Sequence, residues 1–325
     1  MASPIPASST EGSATERIDP ATVRVAAPVA SGVDEIDLIP VRTYWQLVRQ
    51  RFLRHRLAVV ALFIMLVLVA LAVVIPTLTG EGYAKTSLSA TMRPPFQNLA
   101  QPLGTNQIGQ NMFLRLMKAL QTSLFIGFMA VVVIVAIGVP LGAIAGFFGG
   151  KIDNVIMRIV DIVLSLPIFF LIVMIVAFFG KGDAWVVVFA IGLTGWTLAC
   201  RLVRAEFLRL READFVQAAR ALGAGRSRIA ARHMLPAALA PVVVAATLGI
   251  ADSVVTEAAL SFLGFGISPP QASLGNMIKN FEEDLLVRPI LLIYPSVTIV
   301  LIVLAASFLG DGLRDALDPR QRIEK

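Results

Sequence analysis

Of the 325 residues, 57% are apolar and only 15% charged, whereas a soluble domain carries about a quarter charged residues. So few polar groups cannot cover that much apolar surface in water, which excludes a soluble globular protein and implies several membrane crossings. The 28 Lys and Arg against 22 Asp and Glu leave a charge of +6, which in a membrane chain reflects basic cytoplasmic loops rather than nucleic-acid binding.

Residues 1–41 are rich in Ala, Ser, Pro and Thr and lack a helical apolar period, as expected of a disordered cytoplasmic extension. Residues 42–325 form the membrane domain. Leu57 to Ile75 is an unbroken apolar run, preceded by Arg49, Arg51, Arg54 and Arg56. A cleaved leader would have a shorter apolar core, about 7–15 residues, much nearer the N-terminus. The run is therefore read as a retained first span.

Apolar stretches follow at about 123–148, 155–180, 184–200, 237–263 and 289–309. The stretch at 184–200 is the shortest and contains Gly192, Gly195 and Trp196. None alternates apolar with polar as barrel strands do, and a lipid-exposed backbone must satisfy its own hydrogen bonds. The fold class is thus an all-α integral membrane protein with six transmembrane helices. Gly138, Gly142 and Gly146 recur at every fourth position, a spacing that lets two helix backbones approach closely; Gly149 and Gly150 end that helix.

Basic residues flank the first span, the tail (Arg314, Arg320, Arg322, Lys325) and above all 201–236, which holds eight arginines. With six spans these three regions share one side, the cytoplasm, and the segments 79–121 and 264–288 face outward. The second outer segment carries the acidic run Glu282, Glu283, Asp284. In the outer segments Ile108, Met112, Phe113, Leu116 and Leu120 recur at helical spacing after Thr105, a suitable N-cap. Leu274, Met277, Ile278, Phe281 and Leu285 do so after Ser273. Each predicts an amphipathic helix, lying at the outer interface, covering the mouth of a pathway or packing over the bundle.

Catalytic machinery is not evident. Gly150-Lys151 fails as a phosphate loop, because Ala145 stands where glycine is needed and Ile152 where Ser or Thr would bind magnesium. The single cysteine, Cys200, excludes an internal disulfide, and two histidines, His55 and His233, argue against a metal site. The chain is expected to be no enzyme and to hold no cofactor.

Between the fourth and fifth spans lie some 35 residues, far more than a helical hairpin needs. Residues 203–222 favour helix, with Phe215, Ala219 and Leu222 on one face. Gly223 and Gly225 can take positive φ, so the helix stops and turns before a second short helix runs to Pro236. Two short helices at an angle, apolar at one end and flanked by arginines, make a projecting knob suited to seat in a partner.

Ala218-Ala219, Gly223, Ile229 and Leu235-Pro236 match the cytoplasmic coupling motif of ABC-importer permeases. Pro-Leu-Gly-Thr (102–105), Gly-Phe-Phe-Gly-Gly (146–150) and Met-Arg-Ile-Val-Asp (157–161) resemble stretches of the peptide-permease branch. So do Thr-Glu-Ala-Ala-Leu-Ser-Phe-Leu-Gly (256–264) and Gly-Asp-Gly-Leu-Arg-Asp-Ala-Leu-Asp-Pro (310–319). Over about 43–320 the chain resembles the second permease subunit of the dipeptide/oligopeptide transport family. The resemblance implies a homologous permease partner, two cytoplasmic ATPase subunits that hold ATP and magnesium, and an extracytoplasmic substrate-binding protein. It also implies that Phe215, Gln217, Ala218, Ala219, Leu222, Gly223 and Ile229 couple the chain to an ATPase subunit. Gln217 replaces the motif's glutamate, which removes a salt bridge there, and Gln110-Asn111 stands where the family often has Arg-Asp. Peptides are the substrate implied by the branch, which also includes importers of nickel complexes, glutathione and oligosaccharides. An ion-coupled secondary transporter is the rival class, but no matching inverted halves are evident.

Four charges stand out within the spans. Arg158 and Asp161, three apart, are expected to pair on one helix face. Asp252 and Glu257 are costly in lipid unless they face a cavity or a partner. Two readings stand for them: contact with a cationic substrate group such as a peptide amine, or a gate or inter-subunit bond. Ser253 and Glu257 share a face, and Asp252 points elsewhere.

Overall fold

The computed structural model describes residues 44–282 and 288–317, so the expected disordered extension at 1–41, the basic residues past 317, and Glu283, Asp284 and Leu285 lie outside the described residues. The described chain is helical; an isolated bridge between Thr105 and Asn111 is the one β feature among the described residues. An amphipathic helix α1 (Tyr44–Arg54) leads into α2 (Arg56–Thr79), the first span. His55 divides them: its Nδ1 accepts the Ala58 N–H at 3.1 Å and caps α2.

Helix α3 (Met112–Phe148) is longer than the expected second span. At about 1.5 Å per residue its 37 residues reach about 55 Å, well beyond a hydrocarbon core of about 30 Å. The separate outer helix expected from Thr105 is instead the first turns of α3. Asn111 is the cap, its Oδ1 accepting the Phe113 N–H at 3.0 Å. Thr105 is buried in the preceding loop, where its hydroxyl donates to the Ala90 carbonyl (2.5 Å) and accepts the Arg93 N–H (2.9 Å). Ile108 is outside the helix and exposed. The hydroxyl at 105 serves the long range better than the helix start, because a tight loop returns it to residues 90–93.

The third span is not one rod. Helices α4 (Gly150–Ser165) and α5 (Ile168–Phe179) meet at 86°. Pro167 lacks an N–H and forces Leu166 out of the helical region, to φ −91° and ψ 144°. At about 1.5 Å per residue neither piece alone covers a core of about 30 Å. Among the described residues five helices are long and apolar enough to cross a membrane, and the bent pair makes a sixth crossing if it counts as one.

Helix α6 (Ala184–Arg211) starts where expected, with Asp183 capping the Trp185 N–H at 2.8 Å, but runs eleven residues further than residue 200. It is the most enclosed span, and the glycine stripe explains why. Gly138, Gly142 and Gly146 lie against Trp196, Val203 and Phe207; a Cβ at Gly142 would come within 2.8 Å of the Val203 Cβ. Gly192 and Gly195 of α6 receive Val133 and Ile134 of α3 in return. Glycines that weaken the apolar pattern of 184–200 are thus half of a two-sided helix contact.

Ion pairs join α4 to α6. Asp161 pairs with Arg201 at 2.5 Å rather than with Arg158 on its own helix. Arg204 grips Asp153 with two bonds, Nε to Oδ1 at 2.5 Å and Nη2 to Oδ2 at 2.7 Å. A fork-on-fork pair between helices holds two carboxylate oxygens at once, which a three-residue spacing on one helix does not.

After α6 come α7 (Asp214–Ala221), the short α8 (Arg226–Arg228), a π-helical turn (Ile229–Met234) and α9 (Leu235–Phe262). Helix α10 (Leu274–Phe281) begins at Ser273 as expected, in a capping box with Asn276, and buries Leu274, Met277 and Phe281 against the bundle. Helix α11 (Ile290–Leu317) closes the described fold, packing on α2 and α9.

Candidate functional site

The segment after α6 builds a projection from short-range rules. Glu212 and Ala213 leave the helix, and α7 starts at Asp214. Its C-terminus is a Schellman turn: Ala224 N–H donates to the Ala219 carbonyl and Gly223 N–H to the Arg220 carbonyl, both at 3.0 Å. Gly223 has φ +76°, where a side chain would be strained. Gly225 was expected to share this role; it is extended (φ −64°, ψ 147°) and precedes α8. One left-handed residue suffices to reverse the chain.

The projection has an inner and an outer face. Val216 and Ile229 are buried with Phe207, Leu210 and Met234 in one apolar cluster, and Ala219 packs on its edge. Phe215 and Leu222 face outward, 45% and 88% exposed, beside the exposed Ala218 and Gln217. Of the seven residues expected to couple, Phe215, Gln217, Ala218, Leu222 and Gly223 are therefore accessible, whereas Ile229 braces the knob from beneath. Gln217 Nε2 lies 3.5 Å from the Arg211 carbonyl, turned toward its own chain. Val216, the anchor of α7, escaped the sequence reading because the face was drawn through Phe215 and Leu222.

The two carboxylates of α9 have opposite settings. Glu257 is wholly enclosed. Its Oε2 accepts from the Ser123 hydroxyl and its Oε1 from the Ser261 hydroxyl, both at 2.6 Å. Each serine oxygen accepts in turn a backbone N–H, Leu274 onto Ser123 at 3.2 Å and Ile267 onto Ser261 at 3.0 Å. The hydroxyl protons are thereby free to be donated to the carboxylate. Asn276 completes the cluster, its Nδ2 donating to the carbonyls of Ile267 (3.2 Å) and Gln271 (2.9 Å). Glu257 thus ties α3, α9 and the α9–α10 loop together, within this chain. Asp252 is exposed on another face of α9. The Glu257–Ser261 spacing was a readable signal; Ser123 was not, lying 134 residues away.

A family model described as the binding-protein-dependent transport system inner membrane component matches residues 138–323, more than half of the chain. The chain belongs to this family. A second model, the N-terminal transmembrane domain of oligopeptide transport permease C, matches residues 43–100. The oligopeptide transport system permease protein OppC of Mycobacterium tuberculosis is 37% identical over 278 residues, covering 85% of this chain and 94% of the relative. The dipeptide transport system permease protein DppC of Alkalihalophilus pseudofirmus is 36% identical over 278 residues, covering 86% and 90%. In fold the chain resembles the inward-facing MetNI methionine ABC transporter, with a TM-score of 0.53 and 24% identity, over 64% of this chain and 98% of that one. The chain is thus a multi-pass membrane permease, and the projection after α6 lies inside the segment that the family model covers.

Proposed function

We propose that the chain forms one half of the translocation pathway of an ATP-driven peptide importer, with its arginine-rich end in the cytoplasm. Peptides are the substrate class because the oligopeptide and dipeptide permeases match it over most of both lengths. A homologous permease supplies the other half of the pathway, an extracytoplasmic binding protein delivers the peptide, and ATP with its magnesium sits on two separate cytoplasmic ATPase subunits.

One observation carries the coupling role: α7 presents Phe215 and Leu222 outward while Val216 is locked into an apolar cluster with Ile229 and Met234. A helix pinned on one side transmits a push to the spans, where a loose loop would absorb it. The π-helical turn then leads that push directly into α9. Of the two carboxylates in α9, Asp252 is the one whose side chain a substrate amine can reach, and Glu257 holds the outer end of α9 in place.

Cross-linking tests the coupling role. With the buried Cys200 replaced by serine, Leu222→Cys in the co-expressed transporter should cross-link to the ATPase subunit, with a yield that nucleotide alters. No cross-link, together with labelling of Leu222→Cys by an impermeant maleimide on intact cells, would overturn both the coupling role and the orientation.

A further inference from the structure

Two adjoining grooves open at the arginine-rich end of the spans. The first, about 590 Å³, is apolar and runs along α3 from Pro140 and Ala143 to Phe147, walled by Ala231 and Leu235 at the start of the fifth span. The second, about 570 Å³, gathers Arg211 at the end of α6, Arg220 of α7 and Arg226 of α8 around a single carboxylate, Glu212. Phe147, Phe148 and Arg226 line both, so the grooves form one amphipathic channel.

The charges in it are not balanced. Arg211 Nε is 3.5 Å from Glu212 Oε1, and among the described residues neither Arg220 nor Arg226 forms an ion pair. Three guanidinium groups against one carboxylate leave a surplus of two positive charges beside an apolar slot. Guanidinium forks match phosphate oxygens in shape and charge. They stand where α3 and α6 end, the level at which basic side chains meet lipid headgroups.

Inorganic phosphate or a nucleotide phosphate would use the arginines and leave the slot unfilled. A neutral lipid would fill the slot and leave the arginines bare. We propose that the two grooves are one binding site for an anionic phospholipid, its phosphate on Arg220 and Arg226 and one acyl chain lying along α3 between Ala143 and Leu235. Because Arg220 belongs to α7, a bound lipid joins the knob to the end of α3 and steadies the coupling helix. The site requires only that the chain spans a membrane, and so stands whether or not peptides are the cargo.

The test uses the assembled transporter, purified in detergent and offered equal amounts of phosphatidylglycerol and phosphatidylcholine, with retained lipid read by native mass spectrometry. The wild type should retain phosphatidylglycerol at least fivefold over phosphatidylcholine. Arg220→Gln/Arg226→Gln should bring that ratio to about one. Ala143→Phe, which fills the slot without touching a charge, should lower phosphatidylglycerol retention at least threefold. A phosphatidylglycerol with a diazirine in its acyl chain should label residues 140–148 and 226–235 of the wild type, which keeps the test independent of whether the arginine variant assembles. Equal competition by phosphatidylcholine, displacement of the label by inorganic phosphate, or labelling confined to other segments would each overturn the proposal.

Discussion

The hydroxyl of Ser123 on α3 lies 2.6 Å from Glu257 Oε2 on α9, 134 positions further along the chain. That bond places a carboxylate inside the bundle with no ion pair among the described residues, held by serine hydroxyls whose oxygens are occupied by backbone N–H groups. The cluster joins the first turns of α3 and the last turns of α9 to the loop before α10.

Glu257→Ala should destabilise the protein by about 1–3 kcal/mol, because the serine hydroxyls lose their acceptor in a site closed to water. A lowered thermal midpoint in detergent checks it. Glu257→Gln should be milder and should reduce uptake of free-amine and N-acylated peptides by equal factors. Selective loss of the free-amine substrate would assign Glu257 to substrate contact instead.

Asp252→Asn is expected to behave oppositely. It should leave the thermal midpoint within about 1 °C, since an exposed substitution changes stability by less than about 0.5 kcal/mol. It should reduce uptake of free-amine peptides at least fivefold more than that of N-acylated ones. Equal losses would place Asp252 in a gate or an inter-subunit contact.

Gly142→Leu should prevent folding or cost at least ~1–3 kcal/mol, because the new side chain meets the Val203 Cβ and the backbone of α6. Gly195→Ala should cost less, since it meets the flexible end of Ile134. Expression level and thermal midpoint of the two variants give the comparison.

Leu222→Ala and Val216→Ala separate contact from support. Leu222 is 88% exposed, so its truncation should leave stability within about 0.5 kcal/mol while lowering substrate-stimulated ATPase activity of the assembled transporter several-fold. Val216→Ala should lower both, since it opens a hole under α7. Equal thermal midpoints for the two variants would contradict this division.

A double-mutant cycle on Arg204 and Asp153 should return a coupling of about 1–2 kcal/mol, because the pair is bidentate and largely withdrawn from solvent. Arg204→Lys should recover less than half of it, since an ammonium cannot bridge both carboxylate oxygens.

Much of this was legible along the chain. An apolar run such as 57–75 has no stable state in a bilayer except a helix, because hydrocarbon supplies no hydrogen-bond partners for a bare backbone. Ser273 announced α10, the glycine stripe announced a close helix contact, and Gly223 announced the turn after α7, each through a constraint that acts within a few residues. Pro167 was visible too, yet its consequence was misjudged: an apolar stretch counts hydropathy, and the 86° bend depends on a backbone N–H that proline does not have.

What remained hidden was the choice of partner between distant residues. Local patterning established the helices, some of their ends and the knob between the fourth and fifth spans, since periodicity, capping and turn chemistry operate over one or two helical turns. That Asp161 takes Arg201 and not Arg158, that Ser123 satisfies Glu257, and that Val216 anchors α7 were settled when helices far apart in the chain packed together. Contacts of that kind depend on interhelical register and distance, and no residue spacing within a single helix encodes either.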